Sequence, residues 1–90
     1  MAEKKDDEFL KKYGYVCVSS YRINAIKSLD EGVKMPSNLA KDIGIRTNHI
    51  SKVLTELKQQ GLAECVNEEA HKGRIYRLTD EGKEMAQFLK

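Results

Sequence analysis

Between Leu39 and Leu62 the sequence reads LAKDIGIRTNHISKVLTELKQQGL, and this stretch limits the possible folds more tightly than any other. Ile50, Val53, Leu54 and Leu57 recur at i, i+3, i+4 and i+7, the spacing of a helix with one apolar face. Arg46 or Thr47 opens this helix, and Gly61 followed by Leu62 closes it, because a glycine just past the last turn can take the left-handed conformation that ends a helix. Upstream, Pro36 suits the first turn of a shorter helix, where the N–H it lacks would have no partner. Leu39, Ala40 and Ile43 supply the apolar side of that helix, and Gly44 stops it. Two short helices joined by a tight turn, with the small Ala40 where they must approach, make a helix-turn-helix.

The flanking segments add to this centre. Ile23, Ile26 and Leu29 recur at helical spacing, with Ser19 or Ser20 as the cap and Gly32 as the stop, and predict a helix that completes a three-helix core. Residues 1–14 read as a charged arm in which Asp6 to Tyr13 can form a short helix presenting Phe9, Leu10 and Tyr13. Gly14 breaks that pattern, and the β-branched and aromatic run Tyr15 to Val18 suggests a strand or an extended lead-in. Beyond Gly61, Leu62 to Val66 and Arg74 to Leu78 are strand-like around the polar loop Asn67 to Gly73, as in an antiparallel hairpin. Thr79 can cap a last helix with Met85, Phe88 and Leu89 as its buried stripe and Asp80 and Glu81 at its positive end. The expected fold is mainly α with a small β-hairpin: a three-helix core, a wing and a C-terminal helix, spanning residues 15–90 after the arm.

Composition narrows the class of protein. A chain of 90 residues holds one core. With 40% hydrophobic and 33% charged residues it is too apolar for a disordered chain. No apolar run approaches the roughly 18 residues of a membrane span, and the charged start lacks the apolar stretch of a secretory signal, so a cytoplasmic protein is expected. Cys17 and Cys65 lie far apart without paired ligand spacing, which predicts reduced, buried thiols. Net charge is only +2, yet it is unevenly placed. Residues 1–33 balance, whereas from Lys34 to Arg77 eight basic residues face five acids. A mildly basic middle fits a nucleic-acid footprint, although a solvated surface can show the same surplus.

The segment Leu39 to Leu62, followed by YRLTDEGKE from Tyr76 to Glu84, resembles the winged helix-turn-helix transcriptional regulators of bacteria and archaea, particularly the MarR-like and ArsR-like groups. The resemblance covers roughly Tyr21 to Leu89 and rests on the helix-turn-helix, the Gly-Leu exit and the Leu-Thr-x-x-Gly re-entry. It implies a homodimer bound to double-stranded DNA, with the third core helix in the major groove and the wing on the backbone or in the minor groove. Where ArsR-type metal sensors often carry paired cysteines, this chain reads Thr47, Asn48, His49, Ile50, Ser51, so metal sensing of that kind is not expected.

The recognition helix can also be read from its own residues. At about 100° per residue, the face opposite Ile50, Val53, Leu54 and Leu57 centres on Asn48, Lys52, Thr55 and Gln59, flanked by His49 and Ser51. Asn can pair with adenine N6 and N7, Lys with guanine acceptors or phosphate, and Thr offers a hydroxyl and a methyl. The candidate DNA-contacting set is therefore Arg46, Thr47, Asn48, His49, Ser51, Lys52 and Thr55, with Lys72 and Arg74 on the wing. Glu64, Glu68 and Glu69 on the same hairpin oppose the wing's contact with phosphate. His71 reads as a solvated loop residue. No Gly-rich phosphate loop, Ser-x-x-Lys or His-Glu-x-x-His pattern points to an enzyme, and no cofactor is implied. Phe9, Leu10 and Tyr13 at one end and Met85, Phe88 and Leu89 at the other exceed what a three-helix core needs, and would pair two subunits. The competing reading is a winged-helix protein-interaction module within a larger assembly.

Overall fold

A computed structural model describes residues 6–90; the first residues of the charged arm, 1–5, lie outside the described residues. The elements run α1 (Asp7–Cys17), α2 (Ser20–Leu29), α3 (Pro36–Ile43), α4 (Thr47–Gln59), β1 (Ala63–Cys65), β2 (Tyr76–Leu78) and α5 (Asp80–Leu89). Three helices start on a side-chain cap that meets one of the N–H groups a helix leaves unbonded. Asp6 accepts from the Phe9 N–H at 2.9 Å, Ser19 from the Arg22 N–H at 3.3 Å, and Thr79 from the Gly82 N–H at 3.1 Å.

The centre of the fold is governed by how α3 and α4 end. Gly44 and Gly61 both stand at φ 75°, which a side-chain-bearing residue seldom adopts. After α3, the Ile45 N–H reaches back to the Ala40 carbonyl at 3.0 Å; after α4, the Leu62 N–H reaches the Leu57 carbonyl at 2.9 Å. Both are Schellman closures, in which the residue after the glycine is apolar and folds inward. Ile45 thus packs against the core and sets the tight turn between α3 and α4. Leu62, fully buried, aims the chain from α4 into β1.

α2 touches α1, α3, α4, α5 and β2 and is the hub of the molecule. Its Ala25, Ile26 and Leu29 meet Leu39 and Ala40 of α3, Ile50, Val53, Leu54 and Leu57 of α4, and Met85 and Ala86 of α5 in one buried cluster. Each fully buried large aliphatic side chain stabilises the fold by about 1.5–3 kcal/mol. β1 and β2 pair antiparallel in the register Ala63↔Leu78, Glu64↔Arg77 and Cys65↔Tyr76. A bridge on the far side of β2 joins Lys34 to Tyr76, with the Lys34 N–H donating to the Tyr76 carbonyl at 3.0 Å and the reverse bond at 2.9 Å. The link between α2 and α3 is thereby fastened to the wing.

Several expectations need correction. Gly14 does not break the first helix, and Tyr15 to Val18 is not a strand: α1 continues to Cys17. An interior glycine costs about 1 kcal/mol relative to alanine, but Phe9, Tyr13 and Val16 recur at i, i+4 and i+7, and Val16 is fully buried against the core. That packing outweighs the local preference. The hairpin strands are shorter than Leu62–Val66 and Arg74–Leu78, because the Asn67 side chain takes over the next position, accepting from the Ile75 N–H at 2.8 Å. In α5 the buried residues are Gly82, Met85 and Ala86, while Phe88 stays 43% exposed with its ring edge-on to Phe9 and Tyr13. Cys65 is buried as expected, but Cys17, at the outer end of α1, is exposed.

Gly82 shows why the Leu-Thr-x-x-Gly segment has its form. A Cβ at this position would stand 2.0 Å from the Leu62 carbonyl oxygen and 3.1 Å from the Leu78 Cβ. α5 is seated directly on the exit of α4, and Thr79 strengthens the seat by donating its N–H to the Leu62 carbonyl at 3.0 Å and its hydroxyl to the Gly61 carbonyl at 2.6 Å. Gly82→Ala is expected to cost about 3 kcal/mol or more, because backbone must shift to admit the methyl. Gly14→Ala, in the open face of α1, should stabilise by about 0.5–1 kcal/mol. Thermal unfolding of the two variants checks both signs, and a neutral Gly82→Ala would refute the close seat.

Candidate nucleic-acid interface

α4 presents the residues selected from sequence on one side. Thr47, Asn48, His49, Ser51, Lys52 and Thr55 are exposed, and Arg46 just before them is exposed too. Arg46 precedes the helix without a side-chain cap, so among the described residues the N–H groups of Thr47 and Asn48 have no capping oxygen. Two hydroxyls turn back onto the helix: Ser51 Oγ donates to the Thr47 carbonyl at 3.3 Å and Thr55 Oγ1 to the Ser51 carbonyl at 2.9 Å. Both oxygens keep lone pairs, so these side chains face outward mainly as acceptors. Gln59, at the far end of the same stripe, is also exposed.

The wing is held by side chains. Asn67 accepts from the Ile75 N–H and donates Nδ2 to the Gly73 carbonyl at 3.1 Å, closing the loop from within. Arg74 is half-buried: its Nε donates to the Ala70 carbonyl at 2.8 Å and its Nη2 to the Glu68 carbonyl at 3.1 Å. Lys72 and His71 are exposed on the loop. An ion pair of 2.8 Å from Lys58 to Glu68 joins α4 to the wing. In this pair Lys58 holds the Glu68 carboxyl below its usual range, and Glu68 raises Lys58. Asn67 was not singled out from sequence; an Asn at the strand-to-loop boundary was its only signal.

Ion pairing redistributes the charge counted in the sequence. Glu56 is bridged by Arg22 at 3.1 Å, Glu64 by Arg77 at 2.7 Å, Glu68 by Lys58, and Asp42 by Lys34. Of the acids between Lys34 and Arg77, Glu69 is the one with no ion pair among the described residues. Lys41, Arg46, Lys52 and Lys72 likewise have no acidic partner among the described residues. Between Lys34 and Arg77, the lysines and arginine without an acidic partner among the described residues therefore lie on α3, the turn, α4 and the wing tip.

Two polar clusters behind this face fix its backbone. Arg22 of α2 donates Nε to Glu56 of α4 and Nη1 to the Tyr15 carbonyl of α1 at 2.6 Å, and its guanidinium lies 3.7 Å from the centre of the Tyr15 ring. Lys34 donates to Ser28 at 2.8 Å, to Glu31 at 2.9 Å and to Asp42, tying the end of α2 to α3. Sequence reading passed over both clusters, since their members belong to separate helices. It also passed over Tyr21, whose ring stacks on His49 with centroids 6.3 Å apart. Among the described residues no group of three or more His, Cys, Asp or Glu side chains could hold a metal ion, and no helix is long and apolar enough to cross a membrane.

Solved structures share this architecture. The transcriptional repressor BigR from Xylella fastidiosa is 25% identical with a TM-score of 0.76, covering 89% of this chain and 78% of its own. The homodimeric winged helix-turn-helix DNA-binding domain Mb0332 from Mycobacterium bovis, a possible ArsR-family transcriptional regulator, is 22% identical with a TM-score of 0.66, over 99% of this chain and 83% of that domain. A ZitR variant from Lactococcus lactis is 18% identical with a TM-score of 0.69 over 78% of this chain, which spans about half of ZitR, 49%. No family model matches the sequence, and no curated protein matches it. The chain has the winged helix-turn-helix fold of bacterial transcriptional regulators, with α3 and α4 as the helix-turn-helix and β1–β2 as the wing.

The Lys34 cluster makes the fold sensitive to pH at both extremes. Lys34 and then Ser28, as hydrogen-bond donors, hold the Asp42 carboxyl below its usual range, and Asp42 and then Glu31 raise the Lys34 ammonium above its own. A lowered carboxyl stabilises the fold at neutral pH and loses that contribution as pH falls below about 4; a raised ammonium contributes below about pH 10.4 and loses it above. The urea midpoint of Asp42→Asn is therefore expected to fall less steeply than that of the native chain between about pH 5 and pH 3. Parallel acid limbs would show that the cluster does not contribute.

Proposed function

We propose that this chain binds double-stranded DNA sequence-specifically as a transcriptional regulator, with α4 in the major groove and the wing along the backbone. The observation that carries this reading is the placement of charge: intramolecular pairs engage four of the five acids of the central region, while cations around the exposed face of α4 have no acidic partner among the described residues. Phosphate contact is favoured at such a surface through release of the counterions condensed on DNA. The likeness to the repressor BigR supports the same reading.

Roles follow from position and chemistry. Asn48, on the first turn of α4, reads adenine through its amide, and Lys52 one turn further reaches guanine or a backbone oxygen. Thr55, its hydroxyl committed to the helix, turns its methyl toward a thymine. Arg46 and the uncapped N–H groups of Thr47 and Asn48 take phosphate, while Ser51, its hydroxyl donating to the Thr47 carbonyl, accepts from a base amino group. His49 offers a ring edge to a base. On the wing, Lys72 meets the backbone, and Arg74 holds the loop that carries Lys72 while offering its remaining nitrogen to a phosphate. A regulator of the bacterial type acts in the cytoplasm, and that is where this reading puts the protein.

A second copy completes the reader. Leu10 and Phe88 are 45% and 43% exposed on the α1–α5 side, and Mb0332, of similar fold, is homodimeric. A two-fold dimer would set two α4 helices on half-sites one helical turn apart. Sedimentation at tens of micromolar is expected to give a dimer that Phe88→Asp weakens; a purely monomeric native chain would remove this part of the proposal.

Fluorescence anisotropy with duplex DNA at two salt concentrations tests the central claim. Affinity should fall clearly with salt, Asn48→Ala should cost about 1–3 kcal/mol on a selected duplex and little on a random one, and Lys72→Ala should weaken both and lower the salt slope by about one unit. Salt-independent absence of binding would leave an interaction module as the better account.

A further inference from the structure

The stack between Tyr21 and His49 is the feature of the α4 face that no residue assignment above uses. His49 is exposed on the first turn of α4, where an imidazole free to rotate would present its nitrogens in several directions. Tyr21, on the first turn of α2, is 44% exposed, and its ring lies at 30° to the imidazole with centroids 6.3 Å apart, within the range of offset aromatic pairs. An exposed tyrosine with no neighbour would itself be mobile. Here its mount is rigid, because the next residue, Arg22, is bonded to the Tyr15 carbonyl of α1 and to Glu56 of α4. The start of α2 is thereby locked against the recognition helix two turns beyond His49. Between the two helices runs an open groove of about 300 Å³, bounded by Tyr21 and His49, floored by Val53 and edged by Lys52.

We propose that Tyr21 is a positioning residue for sequence reading: its ring holds the His49 imidazole in one orientation at the DNA surface, so that α2 contributes to specificity without lying in the groove itself. The inference rests on the DNA-binding reading and deepens it. Stacking requires the ring plane and not the phenol oxygen, and the orientation it sets matters only where His49 meets a base edge. The effect therefore belongs to selected sequence and not to general affinity.

A duplex selected against the native chain and a random duplex, each measured by anisotropy at fixed salt, test this. On the selected duplex Tyr21→Ala and His49→Ala are each expected to weaken binding by about two- to tenfold, the range set by an aromatic pair. The double variant should be no weaker than the worse single one, because both remove the same contact. Tyr21→Phe should bind as the native chain does, and the Tyr21 single variants should bind random duplex as the native chain does. Tyr21→Leu, which keeps apolar bulk without a ring plane, should follow Tyr21→Ala, and unchanged thermal midpoints show that the fold is intact. Equal affinity of Tyr21→Ala and the native chain for the selected duplex overturns the proposal, as do additive losses in the double variant. A native chain that binds no duplex at either salt concentration instead overturns the reading beneath it, a result separable from the first because it appears before any substitution is made.

Discussion

The Leu62 carbonyl, receiving the Thr79 N–H while Gly82 lies against it, is the contact on which the rest of the arrangement depends. It is where three parts of the fold meet. Gly61 and Leu62 end the recognition helix, β1 departs from them, and the chain returning from the wing starts α5 at the same place. Because the closest approach is backbone to backbone, the geometry tolerates no side chain at position 82 and little freedom in the angle at which α5 leaves. The wing is thus pinned at its base, and a second pin, the Lys34–Tyr76 bridge, fastens β2 to the link before α3. A loop fixed at both sides of its root can present Lys72 at a set height relative to α4.

Electrostatics completes what packing begins. The acids of the central region do not simply dilute its positive charge: each ion pair joins two elements, α2 to α4 through Arg22–Glu56, α2 and its following link to α3 through Lys34–Asp42, α4 to the wing through Lys58–Glu68, and β1 to β2 through Arg77–Glu64. The two exposed pairs, Lys58–Glu68 and Arg77–Glu64, contribute little to stability, so their larger consequence is placement. Together the four pairs withdraw negative charge from the face of α4 and leave Lys41, Arg46, Lys52 and Lys72 without acidic partners among the described residues. A net charge of +2 understates the local field that an approaching polyanion meets.

Much of this was legible in the chain because it depends on local rules. The period of Ile50, Val53, Leu54 and Leu57, the proline at the start of α3, the glycines after α3 and α4 and the Thr79 cap each specify an element through the residues nearest to it. The outward face of α4 followed from the same period, since a core side implies its opposite. Where reading failed, long-range packing had overridden local preference. Gly14 and the Tyr15–Val18 run argue against a helix by propensity, yet Val16 reaches a fully buried site that only a continuous α1 allows, and Cys17 is carried outward by the same rotation. Phe88 looked like a core residue, but it packs near-perpendicular to Phe9 and Tyr13 of α1 and stays 43% exposed.

By itself, then, the sequence determined the order and type of the elements from α2 onward and the identity of the exposed stripe on the recognition helix, because helix period, capping and glycine stops act over a few residues. Tertiary structure alone decided which charges are neutralised, which side chains hold the wing, and that Tyr21 stands beside His49. Those relations join residues separated by many positions, such as Arg22 and Glu56 or Lys34 and Tyr76. Their closeness is set by the docking of one helix on another, which no local pattern encodes.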